Sequence, residues 1–146
     1  MGSSTASFES SVDRPVRNNT VILLLRLEGL AVVVGSAIAY ERTGASWWLF
    51  GGLWLLPDLS MLGYLRSACW GARIYNAIHS YVLPGALGIL AVLLRSHALL
   101  PVALIWVNHI GVDRLLGYGL KYADGFGSTH LGRLGKKREA IEAEQG

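Results

Sequence analysis

His109 and Asp113 stand four residues apart in "IWVNHIGVDRLLGYGLKY", where an apolar run would otherwise continue. At that spacing an imidazole and a carboxylate share one face of a helix. Glu28, Asp58 and His79 interrupt apolar runs in the same way, and Asn76 precedes His79 by one turn. Imidazoles and carboxylates together suit two kinds of chemistry. One is ligation of zinc or a non-haem metal, which activates water against a lipid ester or phosphate. His79, His109, Asp113, Asp58 and Glu28 supply the donor types for it. The other is metal-free acid–base catalysis on a lipophilic substrate, of the kind cyclases and isomerases perform. There a buried carboxylic acid protonates an alkene, epoxide or enol, and a neighbouring base removes a proton. Asp58 or Glu28 would be the acid, His79 or His109 the base, and Asp113 their companion. Trp54, Trp106 and Tyr64 would shield developing positive charge with their ring faces. Asn76 and Arg114 complete the expected substrate-binding set.

Those residues must be positioned by apolar elements. Of the 146 residues 52% are hydrophobic and only 16% charged, against about a quarter charged in a soluble domain. Four runs have roughly the 20 residues that cross a ~30 Å hydrocarbon core: about 20–40, 46–65, 74–94 and 98–120. Strand alternation is absent, and runs such as "ALGILAVLL" lack the polar stripe of a soluble helix. The expected fold is an all-α integral membrane protein with four transmembrane helices in a compact bundle. Its parts are a polar N-tail (1–19), a transmembrane domain (20–122) and a C-tail (123–146). Pro57 and Pro84 predict kinks in the second and third spans.

Arginine and lysine placement orients the bundle. Arg14, Arg17, Arg66, Arg73, Lys121, Arg133, Lys136, Lys137 and Arg138 fall on one side, and only Arg42 and Arg95 on the other. By the positive-inside rule both termini are cytoplasmic. Tyr40, Trp47 and Trp48 then fit an outer aromatic belt, and Tyr64, Trp70, Tyr75, Tyr118 and Tyr122 an inner one. The net charge of +3 follows this loop pattern and does not describe a nucleic-acid surface. The single cysteine, Cys69, excludes an internal disulfide and a cysteine-cluster metal site.

On this topology Glu28, Asp58, His79 and Asp113 reach one depth of the cytoplasmic leaflet, with His109 one turn deeper. An ionised carboxylate facing lipid costs about 2.5–3.5 kcal/mol on insertion scales, so the residues are expected to face inward. On helix 1, Glu28 continues a small-residue stripe of Ala31, Gly35 and Ala39, the usual packing face in a bilayer. On helix 2, Asp58 aligns with Gly51, Trp54 and Met61. Arg26 and Arg114 lie close enough to the surface to snorkel or pair with a carboxylate. Two readings without catalysis use the same residues: a proton or substrate path, and a hydrogen-bonded network that locks the helices.

The blocks "LLRLEGLAVVV", "PDLSMLGYL", "YNAIHSYVLPG", "WVNHIGVDRLLGYGLKY" and "THLGRLG" resemble a family of small, mainly bacterial integral membrane proteins catalogued as domain of unknown function 4260. The likeness runs from about Leu23 to Gly135. It implies a whole-chain, multi-span membrane domain and implies no reaction. No H-E-x-x-H or E-x-x-H spacing occurs, so no residue is assigned as a metal ligand and no cofactor is named. The expected function is that of a small membrane enzyme whose His/carboxylate pocket in the cytoplasmic leaflet acts on a lipophilic substrate by cyclase- or isomerase-like acid–base chemistry; a metal-dependent membrane hydrolase and a non-enzymatic subunit or transporter are the alternatives. Its expected partners are the bilayer, a lipophilic small molecule and, in one arrangement, a second copy of itself. In the C-tail, Thr129 and His130 are expected to fold back at the pocket mouth or touch headgroups, and Lys137 and Ile141 to share one side of a short helix.

Overall fold

A computed structural model of the protein describes residues 19–121, 128–129 and 132–133. The elements are α1 (Asn19–Glu41), α2 (Trp47–Trp54), a 3-10 segment (Leu56–Leu65), α3 (Ala68–Ile78), α4 (Val82–Leu93) and α5 (Leu99–Leu116). A short hairpin follows, β1 (Ser128–Thr129) and β2 (Gly132–Arg133), antiparallel with Ser128 opposite Arg133. The expectations for the N-tail, Tyr122, the Thr129 and His130 side chains, Lys137 and Ile141 lie outside the described residues.

Three stretches are long and apolar enough to cross a membrane: Thr20–Glu41, Ala68–Leu93 and Leu99–Leu116. Their outer faces carry large exposed hydrophobics, among them Leu23, Leu27 and Ile38 on α1 and Ile89, Val92 and Leu93 on α4. Contiguous apolar surface of that kind is tolerated in lipid. These findings make the protein a helical, membrane-integral one.

The second apolar run is not one continuous helix. Ser46 caps α2, its side chain accepting from Trp48 N–H at 3.2 Å. The α-helix stops at Trp54, and Pro57, which has no N–H to give, sits where the chain tightens into ten residues of 3-10 helix. The third stretch starts earlier than the apolar run. Ser67 caps α3 at Trp70 N–H, so the helix begins at Ala68 and carries Gly71 and Arg73 in its first turns, residues that hydropathy discounts. It also breaks at His79–Tyr81. Pro84 lies in the first turn of α4, where a missing N–H costs nothing, so the break precedes the proline.

α5 is the central element and packs on α1, α4 and α2, while the 3-10 segment packs on α3. The α1–α5 seam is set by two glycines. A Cβ on Gly29 would stand 2.7 Å from Leu115 N, and one on Gly111 would stand 3.0 Å from Val32 Cγ1. The backbones therefore touch, as small residues allow between helices in a bilayer. The buried stripe of α1 is Gly29, Ser36 and Tyr40, and Ala31, Gly35 and Glu28 are exposed. The stripe expected from the sequence is one residue, or ~100° of helix, out of register.

Asn108 of α5 ties three helices together. Its Nδ2 donates to Val33 O and to Ser36 Oγ, both at 3.0 Å, and its Oδ1 accepts from Trp54 Nε1 at 3.1 Å. At the other end of α1, Tyr40 is fully buried against Trp47 and Phe50, its hydroxyl donating to Ser46 O at 2.6 Å. Tyr40 is thus a core residue and not part of an interfacial belt. Tyr75 is also buried, whereas Trp48, Trp70 and Tyr118 are exposed.

Candidate functional site

Three elements bring four ionisable side chains together beneath the helix breaks. Asp58 comes from the first turn of the 3-10 segment, His79 from the C-cap of α3, and His109 and Asp113 from successive turns of α5. The donor atoms of Asp58, His79 and His109 form a near-equilateral triangle. His79 Nε2 to His109 Nε2 is 3.3 Å, and each imidazole nitrogen is 3.5 Å from Asp58 Oδ1. Asp113 Oδ2 stands beside it, 3.6 Å from His79 Nε2 and 4.0 Å from His109 Nε2. The imidazoles are 2% exposed, Asp58 is 35% and Asp113 18%, so the cluster is reached from the carboxylate side.

The protonation of His79 follows from its neighbours. Its Nδ1 lies 3.1 Å from Tyr75 O, and a carbonyl can only accept, so Nδ1 carries the hydrogen. In the neutral ring Nε2 then presents a lone pair to two carboxylate oxygens. These acceptors can be bridged by the Nε2–H of a neutral His109, by an added proton or by a metal ion. Metal-ligating histidines are usually held in this way, one ring nitrogen donating to a backbone carbonyl while the other faces the ion. Three donors ~2.0–2.1 Å from one ion stand ~3.3–3.4 Å apart at tetrahedral angles and ~2.9 Å apart at right angles. The observed triangle fits the tetrahedral case.

Neighbouring groups hold these side chains still. Tyr75 stacks on His79 at 3.8 Å and its hydroxyl donates to Asp113 Oδ2 at 3.2 Å. Trp54 meets the His109 ring edge-on at 4.9 Å. The last carbonyls of a helix lack intrahelical partners. Those of α3 are taken up by α5: Trp106 Nε1 donates to Ile78 O at 2.9 Å and Arg114 to His79 O at 3.1 Å.

The sequence-derived set divides accordingly. Asp58, His79, His109 and Asp113 converge. Glu28 stays exposed on α1, outside the cluster. Trp54 borders it, while Trp106 and Arg114 bond backbone carbonyls around it. Asn76 uses both faces of its amide on Lys121, accepting from its N–H at 2.7 Å and donating to its carbonyl at 2.8 Å. Tyr64 packs against Gly71, where a Cβ would overlap its ring. Sequence reasoning misses two residues. Asn108, beside His109 in the quoted block, is recognisable in principle as an amide inside an apolar run. Lys121 reads as a tail charge, yet it is buried, with Nζ 4.3 Å from the Tyr75 ring centroid. Burial lowers its ammonium to about 8, and the nearby Asp113 and Asp58 oppose that shift.

An apolar cavity of about 240 Å³ is lined by Leu53, Leu56, Pro57, Ile78, Val102, Ile105 and Trp106, and by none of the four ionisable side chains themselves. Pro57 precedes Asp58, Ile78 precedes His79, and Ile105 lies one turn before His109. The cavity therefore shares the backbone that carries the three donor atoms.

Fold and site together define a class: a membrane-integral helical protein in which two buried histidines meet two half-buried aspartates, near an apolar cavity. The chain belongs to the family described as domain of unknown function, DUF4260, whose profile matches residues 22–134. No curated protein and no solved structure matches the chain.

Proposed function

We propose that this protein is a membrane-embedded, metal-dependent enzyme acting on a lipophilic substrate. The observation that carries the reading is the 3.3, 3.5 and 3.5 Å triangle of Asp58, His79 and His109 donor atoms. Two imidazoles and one carboxylate are a donor set for zinc, and three protein ligands leave a position for water or substrate. Bound there, such an ion supplies Lewis acidity and lowers the pKa of water. Asp113 lies outside the triangle and is held by the Tyr75 hydroxyl, so it is placed to take a proton. The Leu53–Trp106 cavity would seat the substrate's hydrocarbon, leaving an ester or phosphoryl group at the open, Asp58 side.

The cobalt-loaded protein tests this. Tetrahedral cobalt absorbs visible light far more strongly than octahedral cobalt. We expect the strong bands in wild type, their loss in His79→Ala, and their retention in Asp113→Asn. Asp113→Asn should also lower hydrolysis of lipid esters or phosphoesters by ~10²–10⁴-fold, the usual worth of a general base. A weak octahedral spectrum in folded wild type would sink the metal reading.

One observation favours a second reading, metal-free acid–base chemistry. Among the described residues His109 Nδ1 is buried without a hydrogen-bond partner. A proton is then better placed on Nε2, where it is shared with His79 and Asp58. In this scheme the same four side chains hold one mobile proton, and no cobalt spectrum develops.

We also infer four membrane crossings with both termini cytoplasmic. α2 and the 3-10 segment, at ~1.5 and ~2.0 Å per residue, together extend ~30 Å, enough for a fourth crossing. The arginine and lysine distribution supports the orientation. Cys69, exposed at the start of α3, reports on it. A membrane-impermeant thiol reagent should label it in inside-out vesicles and not in intact cells; the reverse pattern would invert the topology.

A further inference from the structure

At the end of the molecule away from the cluster, three basic side chains border one cavity. It measures about 490 Å³ and lies between the α1–α2 turn, the α4–α5 turn and the first turn of α5, with Arg42, Arg95 and His97 in its lining. None of the three has an ion pair or side-chain hydrogen bond among the described residues. The nearest acid in sequence, Glu41, accepts from Trp47 Nε1 at 2.7 Å instead. Leu100 and Pro101 also line the cavity, so the N-terminal end of α5, with its positive dipole, borders it.

The backbone adds an independent observation. α4 ends in a Schellman-type turn, with Ser96 N–H on Ala91 O at 2.9 Å and Arg95 N–H on Val92 O at 3.1 Å. The residue in the left-handed position is Arg95, at φ 50°, the one non-glycine residue with positive φ among those described. Glycine adopts this conformation without cost, and arginine does not. An arginine at a glycine position, lining a basic cavity with no acid in it, has a task that its local fold does not explain.

We propose that Arg42, Arg95 and His97 form a binding site for a phosphate-type oxyanion. Guanidinium groups match phosphate oxygens in charge and fork geometry. The phosphate of an anionic lipid headgroup and a free phosphate present the same oxygens to such a pocket. The site is independent of the His/Asp cluster and stands if the enzymatic reading fails.

The test uses the full-length chain in detergent. Retention of added palmitoyl-oleoyl phosphatidylglycerol is measured by native mass spectrometry, and binding of inorganic phosphate by calorimetry. Wild type should retain the lipid, and Arg42→Gln/Arg95→Gln should weaken retention more than ten-fold. Inorganic phosphate bound without lipid, and lost in the same variant, would support the site and assign it to the free anion. Arg95→Gly separates binding from folding: the left-handed position is relieved, so thermal stability should hold or rise while lipid retention falls. Equal retention by wild type and the double variant, or no binding of either ligand, would overturn the proposal.

Discussion

Asn108 and His109 are adjacent on α5, both buried, and they anchor two polar networks of opposite character. Around Asn108 every donor meets an acceptor: Trp54 Nε1, Ser36 Oγ and Val33 O close the set, and Ser36 itself donates to Val32 O at 2.6 Å. Around His109 acceptors outnumber donors: the two imidazole Nε2 atoms lie 3.3 Å apart and 3.5–4.0 Å from the Asp58 and Asp113 oxygens, and the hydrogen available between them is that of a neutral His109. A closed network needs nothing from outside and serves the fold. A cluster short of donors can take up a further proton or a cation. Burial alone therefore does not separate architecture from chemistry in this protein. The balance of donors and acceptors does.

Two substitutions sharpen that contrast. Asn108→Ala strands the Trp54 N–H in the α1–α2–α5 core and removes the donor to Ser36 Oγ and Val33 O, while the Ser36 hydroxyl keeps its bond to Val32 O. Each buried group left without a partner costs ~1–3 kcal/mol, so a large drop in melting temperature is expected. Asp58→Asn acts in the opposite sense. Its amide supplies a donor to His79 Nε2, so the metal-free variant should melt within ~1 kcal/mol of wild type, or above it. A loss comparable to that of Asn108→Ala would mean that the aspartate cluster is itself a closed structural network.

Much of this arrangement is legible in the sequence. The i, i+4 spacing of His109 and Asp113 and the shared depth of Asp58 and His79 point to one pocket, because depth in a membrane helix follows from counting residues. Rotation about the helix axis is not legible in the same way. Glu28 and the Ala31–Gly35 stripe lie one residue away from the true seam at Gly29. In lipid the packed and lipid-facing sides of a helix are both apolar, so polarity does not mark the seam. Backbone changes are also hidden. Pro57 signals a disturbance but not ten residues of 3-10 helix, and the break at His79 is fixed by α5 through Trp106 and Arg114, which is a tertiary effect. Lys121 looks like a tail charge because nothing local announces the Asn76 clamp that draws it inward.

The most direct test is the metal content of detergent-purified, full-length protein, measured for wild type beside Asp58→Asn and Asn108→Ala. Close to one zinc-type ion is expected per wild-type chain, bound in competition with protons as deprotonated ligands require. Folded Asp58→Asn should lose the ion, and the fraction of Asn108→Ala that folds should keep it. Folded wild-type protein that takes up no ion from excess zinc would contradict the metal reading and leave the four side chains with a shared proton.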